Sequence, residues 1–99
     1  MQHYKVEVPP SVIEELEEIA LYIAQDKPQS ALAWYENMER RINSLETSPM
    51  RCPIADESQY FDYEIRHLIL GNYRVLFRID VLTVKVLHIR GGAQDYKPF

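Results

Sequence analysis

Apolar and polar residues alternate from Tyr4 to Val8, which marks a first strand, and Pro9-Pro10 ends it because proline cannot continue a paired ladder. Ser11-Val12-Ile13-Glu14 then has the capping-box pattern, in which a hydroxyl and a carboxylate satisfy the free amides of a helix start. Ile13, Leu16, Ala20 and Ile23 recur at spacings of three and four and predict one buried stripe. Glu14, Glu15, Glu17 and Glu18 fall in the first turns, where the helix dipole favours negative charge, and read as a solvated face. Asp26-Lys27-Pro28 stops this helix and starts another, with Asp26 as cap and Pro28 in the first turn. Ala31, Tyr35, Met38, Ile42 and Leu45 give the second helix an apolar seam over about 19 residues, up to Ser48-Pro49. Trp34 lies beside that seam as a packing residue.

Periodicity vanishes between Met50 and Asp62, where Pro53 and scattered polar residues make a connecting loop. Three β-branched and aromatic runs follow, Glu64 to Leu70, Tyr73 to Ile79 and Thr83 to Arg90, joined by Gly71-Asn72 and Asp80-Val81-Leu82. The order β-α-α-β-β-β predicts an α+β domain, a two-helix hairpin packed on one face of a largely antiparallel four-stranded sheet. The period of two puts Tyr73, Val75, Phe77 and Ile79 on the helix side and Arg74, Leu76 and Arg78 on the other. A tight two-residue turn at Gly71-Asn72 would carry Arg66 to the Val75/Phe77 face. A three-residue turn with a bulge would instead gather Arg66, Arg74 and Arg78 on one exposed surface and send Ile65 and Ile69 into the core, and this bulged turn is the expectation. On the last strand His88, Arg90, Val84 and Val86 share a face opposite Lys85, Leu87 and Ile89, and either face can join the arginine surface.

Ninety-nine residues are enough for one core, so residues 1–99 read as a single domain. With 46% hydrophobic and 26% charged residues, disordered and fibrous classes are excluded. No apolar run approaches the roughly 18 to 20 residues that cross a bilayer, and the first residues lead into a strand instead of a signal-peptide core, so a cytoplasmic protein with no membrane partner is expected. The lone Cys52 cannot form an internal disulfide and has no histidine beside it in sequence, which gives it a structural role. His3, His67 and His88 are too widely separated for metal-ligand spacing, so neither a metal nor a cofactor is expected. The net charge of −4 argues against general binding to nucleic acid. Residues 1–50 nevertheless carry −5 and residues 51–99 carry +1, with Arg66, Arg74, Arg78, Lys85 and Arg90 facing only Glu64 and Asp80 between positions 64 and 90. The basic charge is local.

Several stretches carry a family resemblance over nearly the whole chain. Ala31 to Pro49 resembles a second-helix segment that ends in an aliphatic residue, a short polar stretch and a proline. Cys52-Pro53-Ile54-Ala55-Asp56-Glu57 is similar to a loop common among plasmid-stabilisation proteins. Glu64 to Phe77 resembles a central hairpin with a strand arginine, a glycine turn and a tyrosine-arginine pair, and Val84 to Asp95 resembles the last strand and its tail. These are features of the RelE/ParE superfamily, the toxins of type II toxin-antitoxin systems.

The ribonuclease branch of that superfamily cleaves messenger RNA on the ribosome, with the 2′-hydroxyl attacking the adjacent phosphate, which calls for a base, an acid and cations on the phosphorane. The resemblance implies Arg66 and Arg74 as phosphate contacts and His88 as acid or base, with Arg78, Arg90 and Tyr96 extending the target-binding surface. Members of that type commonly end the last strand with a histidine, a glycine and, two positions on, an arginine, where this chain has Gly91, Gly92 and Gln94. Glu64 also stands where that branch often has a lysine. These departures favour the ParE-like branch, which inhibits growth by binding DNA gyrase. A messenger-RNA endonuclease using Arg66, Arg74 and His88, and a non-toxic module that only binds antitoxin, are the alternatives. All three imply a hetero-oligomer with a cognate antitoxin, for which the helix hairpin and the tail Asp95–Phe99 are candidate contacts. That tail can equally fold back onto the domain.

Overall fold

The computed structural model describes residues 2–91. Its elements run β1 (Lys5–Glu7), α1 (Pro10–Ala24), α2 (Pro28–Asn43), β2 (Arg66–Leu70), β3 (Tyr73–Asp80) and β4 (Thr83–Gly91). The sheet has the order β1-β4-β3-β2. Only the β1-β4 pair is parallel, and the others are antiparallel. The helix hairpin between β1 and β2 covers one face, so the predicted α+β architecture is the one observed.

The helix starts differ in detail from the expected caps. α1 begins at Pro10, with Pro9 at the cap position and no side-chain cap bond, so Ser11 and Glu14 do not form a capping box. The Pro9 carbonyl accepts from the amides of Val12 and Ile13, and Pro10 suits the first helical position because its missing N–H would have no partner there. The first turn consequently holds no acid, and Glu14 and Glu15 fall one turn later. Asp26 likewise does not cap α2, since Lys27 occupies that position ahead of Pro28. Pro28 does open α2 as expected, and its 16 residues, against about 19 expected, run directly into a three-residue 3-10 turn, Ser44–Glu46. Ser48 then breaks the helical path with a left-handed φ of 49°.

The main core lies between the helices and the sheet, where Val12 and Leu16 of α1 and Met38 and Ile42 of α2 meet Leu68, Val75, Phe77, Val84, Val86 and Ile89. The α2 seam packs as predicted, with Ala31 and Leu45 buried as well. On α1 the buried stripe runs through Val12 and Leu16 with Ile19 against it, while Ile13 stays 41% exposed. Both stripes contain Leu16 and both obey the three-four spacing, so periodicity alone does not choose between them.

Gly71, at φ 60°, makes the β2-β3 connection a two-residue turn, with Leu70 opposite Tyr73, Leu68 opposite Val75 and Arg66 opposite Phe77. The expected bulged turn is therefore absent. Because the turn is tight, Leu68 reaches the main core, Arg66 moves to the helix-side face, and Ile69 is left 56% exposed. Ile65 is fully buried, but in a second cluster with Ala55 and Leu76 on the far face. The bulge occurs instead between β3 and β4, where Leu76 pairs with His88 and Phe77 with Val86. Leu87 is the extra residue and packs against the far-side cluster, while Val86 and Ile89 both reach the main core. The simple alternation expected for β4 is thereby broken, and Arg90 stands opposite Arg74.

The two sheet turns make opposite predictions. Val81 holds φ 56° at a tip where it is 85% exposed. Left-handed backbone costs an L-residue roughly 1–2 kcal/mol, so Val81→Asn should raise stability by about 1 kcal/mol and the melting temperature by roughly 4–8 °C. Nothing lies within 4 Å of a Cβ built on Gly71, so Gly71→Ala should cost about 1 kcal/mol through the backbone alone. Thermal melts of the two variants check both signs. A lower melting temperature for Val81→Asn would count against the strain.

Candidate functional site

The segment expected to be a plain loop wraps the β2 edge, with Cys52 packed into the main core and Ala55 to Phe61 forming a second layer on the far face of the sheet. It contains two 3-10 turns, Pro49–Arg51 and Asp56–Tyr60. The Ala55 amide donates to the Ile65 carbonyl at 2.8 Å, and the His67 amide to the Pro53 carbonyl at 3.1 Å. Ser58 Oγ accepts from the Ile65 amide at 3.0 Å. These bonds clamp the segment along the outer edge of β2 and press Ala55 and Phe61 onto Ile65, Leu76 and Leu87.

The clamp delivers Glu57, a fully buried carboxylate, to the arginines. Arg74 Nη1 donates to Glu57 Oε1 at 3.1 Å and Arg74 Nη2 to Oε2 at 2.6 Å, a bidentate pair. Arg90 Nη1 lies 3.6 Å from the same Oε2. Arg74 Nη1 also reaches His67 Nδ1 at 2.9 Å, and because a guanidinium only donates, that nitrogen must be the acceptor. The His67 proton is thus placed on Nε2. Burial and the Arg74 charge push the His67 pKa down against the opposing pull of Glu57 and Asp56, which keeps the ring neutral. Burial by itself would raise the Glu57 pKa, but the Arg74 hydrogen bonds, the residue's own amide and the charges of Arg74 and Arg90 outweigh it and hold the carboxyl below its ordinary value.

The cationic residues expected on one surface are dispersed. Arg66 donates to the carbonyls of Cys52 at 2.6 Å and Met50 at 3.3 Å and lies 3.4 Å from Glu64, so it braces the connecting segment. Arg74 is buried at 6% exposure and Arg90 lies beside it. Arg78 lies 3.5 Å from Asp80 and 4.6 Å from the centre of the Tyr63 ring. His88 Nδ1 sits 3.0 Å from Glu15 Oε2, and Glu15 Oε1 accepts from the Ile89 amide at 3.3 Å, on β4 beyond the stretch paired with β1. Glu15 is accordingly a structural bracket instead of part of a solvated face. Tyr96, Gln94 and the tail Asp95–Phe99 lie outside the described residues.

The geometry joins Arg74 and Arg90 and adds two residues that sequence reasoning missed, Glu57 and His67. His67 shares a face with Ile65 and Ile69 like any strand residue, and Glu57 sits in a stretch without periodicity, so neither announces itself. Cys52 is buried, and burial pushes its thiol up against the lowering charges of Arg51, Arg66 and Arg41, which leaves it protonated. Trp34 stacks edge-on against Tyr73 at 5.4 Å, a packing contact. Among the described residues no cluster of three or more His, Cys, Asp or Glu is arranged to hold a metal ion. No helix among them is long and apolar enough to cross a membrane.

Comparison with known proteins agrees with the fold and names a family. The family profile described as "ParE toxin of type II toxin-antitoxin system, parDE" matches residues 6–96. A solved structure described as "Chromosomal ParDE TA system from P. aeruginosa" superposes with a TM-score of 0.69 at 17% identity, covering 92% of this chain and 96% of that one. It shares the fold. No curated protein matches the chain.

Two predictions follow from the buried pair. Removing one partner leaves an uncompensated buried charge, so Arg74→Ala and Glu57→Ala should each cost about 3–5 kcal/mol in urea denaturation. Arg74→Ala is therefore a stability variant before it is an activity variant. Glu57, with its pKa depressed in the fold, contributes stability that is present at neutral pH and lost as pH falls through the folded value. The depressed pKa of His67 acts in the same direction, because the unfolded chain takes up its proton first, near pH 6.5. The melting temperature should decline below about pH 6.5 and more steeply below about 4.3. His67→Gln, which retains an acceptor for Arg74 but does not titrate, should flatten the upper part of that decline. Identical slopes for both proteins between pH 5 and 7 would sink the assignment.

Proposed function

The chain belongs to the ParE toxins of type II toxin-antitoxin systems, and from that premise we propose that it arrests growth by binding a cellular target, DNA gyrase, and that a cognate antitoxin neutralises it. One observation carries the choice of binding over catalysis. Glu57 engages the two arginines that phosphoryl chemistry on this face would draw on, Arg74 at 2.6 Å and Arg90 at 3.6 Å. A phosphorane needs cations directed at an open site where charge develops, and here that charge is already met by a protein carboxylate. His88 is held by Glu15, and Arg66 by the carbonyls of Met50 and Cys52. The endonuclease alternative, built on Arg66, Arg74 and His88, would require Arg74 to leave Glu57.

The fold supports the antitoxin reading through its surface. Leu21, Tyr22 and Leu32 on the helix hairpin are each more than half exposed, at 69%, 72% and 64%. Exposed apolar groups on a small domain mark interaction surfaces.

Induction of the chain without antitoxin, followed by growth, supercoiling and bulk messenger-RNA assays, tests the proposal. The expected result is growth arrest with gyrase supercoiling inhibited and messenger RNA intact. Cleaved RNA with normal supercoiling would move the chain to the endonuclease alternative. Normal growth at confirmed expression and fold would leave a non-toxic antitoxin-binding module. Co-expression of a cognate antitoxin should restore growth.

A further inference from the structure

The outer edge of β2 is covered over only part of its length. Leu70 pairs with Tyr73 across the tight turn, and Leu68 and Arg66 follow at alternate positions, so their backbone groups point to β3. Those of Ile65, His67 and Ile69 point the other way. The connecting segment takes the first of them, the Ala55 amide donating to the Ile65 carbonyl and the His67 amide to the Pro53 carbonyl. There the cover ends. Pro53 has no N–H to return to the His67 carbonyl, and the residue before it, Cys52, packs into the main core. Among the described residues the His67 carbonyl and both backbone groups of Ile69 consequently have no partner along this edge. The Ile69 side chain is 56% exposed beside them. Such an edge is a template for another strand.

Next to it a cleft of about 520 Å³ opens between α2 and the β2-β3 turn, with Trp34, Met38, Arg41, Leu70 and Tyr73 in its lining. Ligand clefts commonly span roughly 300–1,000 Å³, so this one takes a large side chain together with the backbone that carries it. No residue of the lining is acidic. Arg41 is exposed and has neither an ion pair nor a side-chain hydrogen bond among the described residues. Arg51 donates to the carbonyls of Thr47 and Ser48 and to Ser44 Oγ, and to no carboxylate. The charges of both arginines act on Cys52, where the covering segment leaves the edge.

We infer that the open β2 edge at His67–Ile69, with the Trp34 cleft beside it, docks an extended acidic peptide segment that carries a large apolar side chain. A residue of that segment opposite Ile69 exchanges backbone hydrogen bonds with it, and the strand alternation sends one neighbouring side chain into the cleft and the next over Ile69. Flanking carboxylates meet Arg41 and Arg51. A nucleic-acid strand suits the surface less well, because the cleft lining holds one cation and Trp34 and Tyr73 meet edge-on at 65° instead of offering parallel stacking faces. A second copy pairing through the same edge would bring like arginines together. The surface is separate from Leu21, Tyr22 and Leu32 of the hairpin, and the inference does not rest on the gyrase reading.

Trp34 is the chain's single tryptophan, so its fluorescence reports on the cleft directly. The probe is the peptide Ac-Asp-Glu-Leu-Phe-Glu-Asp-NH2, titrated at low ionic strength. It should shift the Trp34 emission saturably, and a counterpart with lysine at every acidic position should not. Arg41→Glu, a change at an exposed position, should weaken binding about tenfold or more. Peptides N-methylated at the leucine or at the phenylalanine keep every side chain but lose one backbone donor, and at least one of the two should fail to bind. A contact made by side chains alone would not show that loss, and the control leaves the protein itself unaltered. The inference is overturned if no saturable shift occurs up to about 1 mM peptide, if the lysine peptide binds equally, or if Arg41→Glu or both N-methylations leave binding unchanged. A shift of the Trp34 emission by a single-stranded oligonucleotide at lower concentration than by the peptide would assign the surface to nucleic acid instead. Self-association in sedimentation that Ile69→Lys abolishes would assign the edge to a second copy, and either result also overturns the inference.

Discussion

A carboxylate held between two arginines organises the far side of this protein. Arg74 and Arg90 are neighbours on adjacent strands, and Glu57 sets a fully buried carboxylate against both of their like charges. Placing Glu57 there requires the Asp56–Tyr60 turn to lie against the sheet. That in turn requires the bonds from Ala55, His67 and Ile65 along the β2 edge and the packing of Ala55 and Phe61 on Leu76 and Leu87. Charge compensation and the second apolar cluster therefore depend on each other. The loop becomes a structural layer, and a four-stranded sheet with helices on one side gains cover on the other.

The same constraint fixes where the sheet cations lie. Position for position, Arg66 and Arg74 resemble the cations of a nuclease, yet each is tied to the connecting segment, Arg66 through carbonyls and Arg74 through Glu57. His88 lies at the bulge in β4, where Glu15 reaches down from α1 and also takes up the Ile89 amide. The tight turn at Gly71 puts Arg66 and Arg74 on opposite faces of the sheet, and His88 is engaged by Glu15. Leu21, Tyr22 and Leu32 of the helix hairpin face outward, while Arg66, Arg74 and Arg90 are largely buried.

Charge distribution follows the same division. The first half of the chain carries −5 and the second half +1, and in the fold much of the positive charge of the second half is directed inward or toward nearby acids. The basic strip legible between positions 64 and 90 is accordingly not a basic surface. Sequence counts charges, but a surface potential depends on which of them are paired.

The order of elements, the α2 seam through Ala31, Met38, Ile42 and Leu45, and the inward facing of Val75 and Phe77 were determined by the sequence itself, because periods of 3.6 and 2 are properties of the local backbone. Features that rest on a choice between equal local patterns were not legible. The α1 stripe could run through Val12 or Ile13, the Gly71 turn could be tight or bulged, and the last strand could alternate cleanly or skip at Leu87. Packing against the sheet settled each. Glu57 is the clearest case: it stands 17 residues from Arg74 in a stretch with no periodic signal, and its partner is found only when the chain closes on itself. A buried charge is expensive to desolvate, so its position is decided by the counter-charges the whole fold assembles around it, and that information is not local.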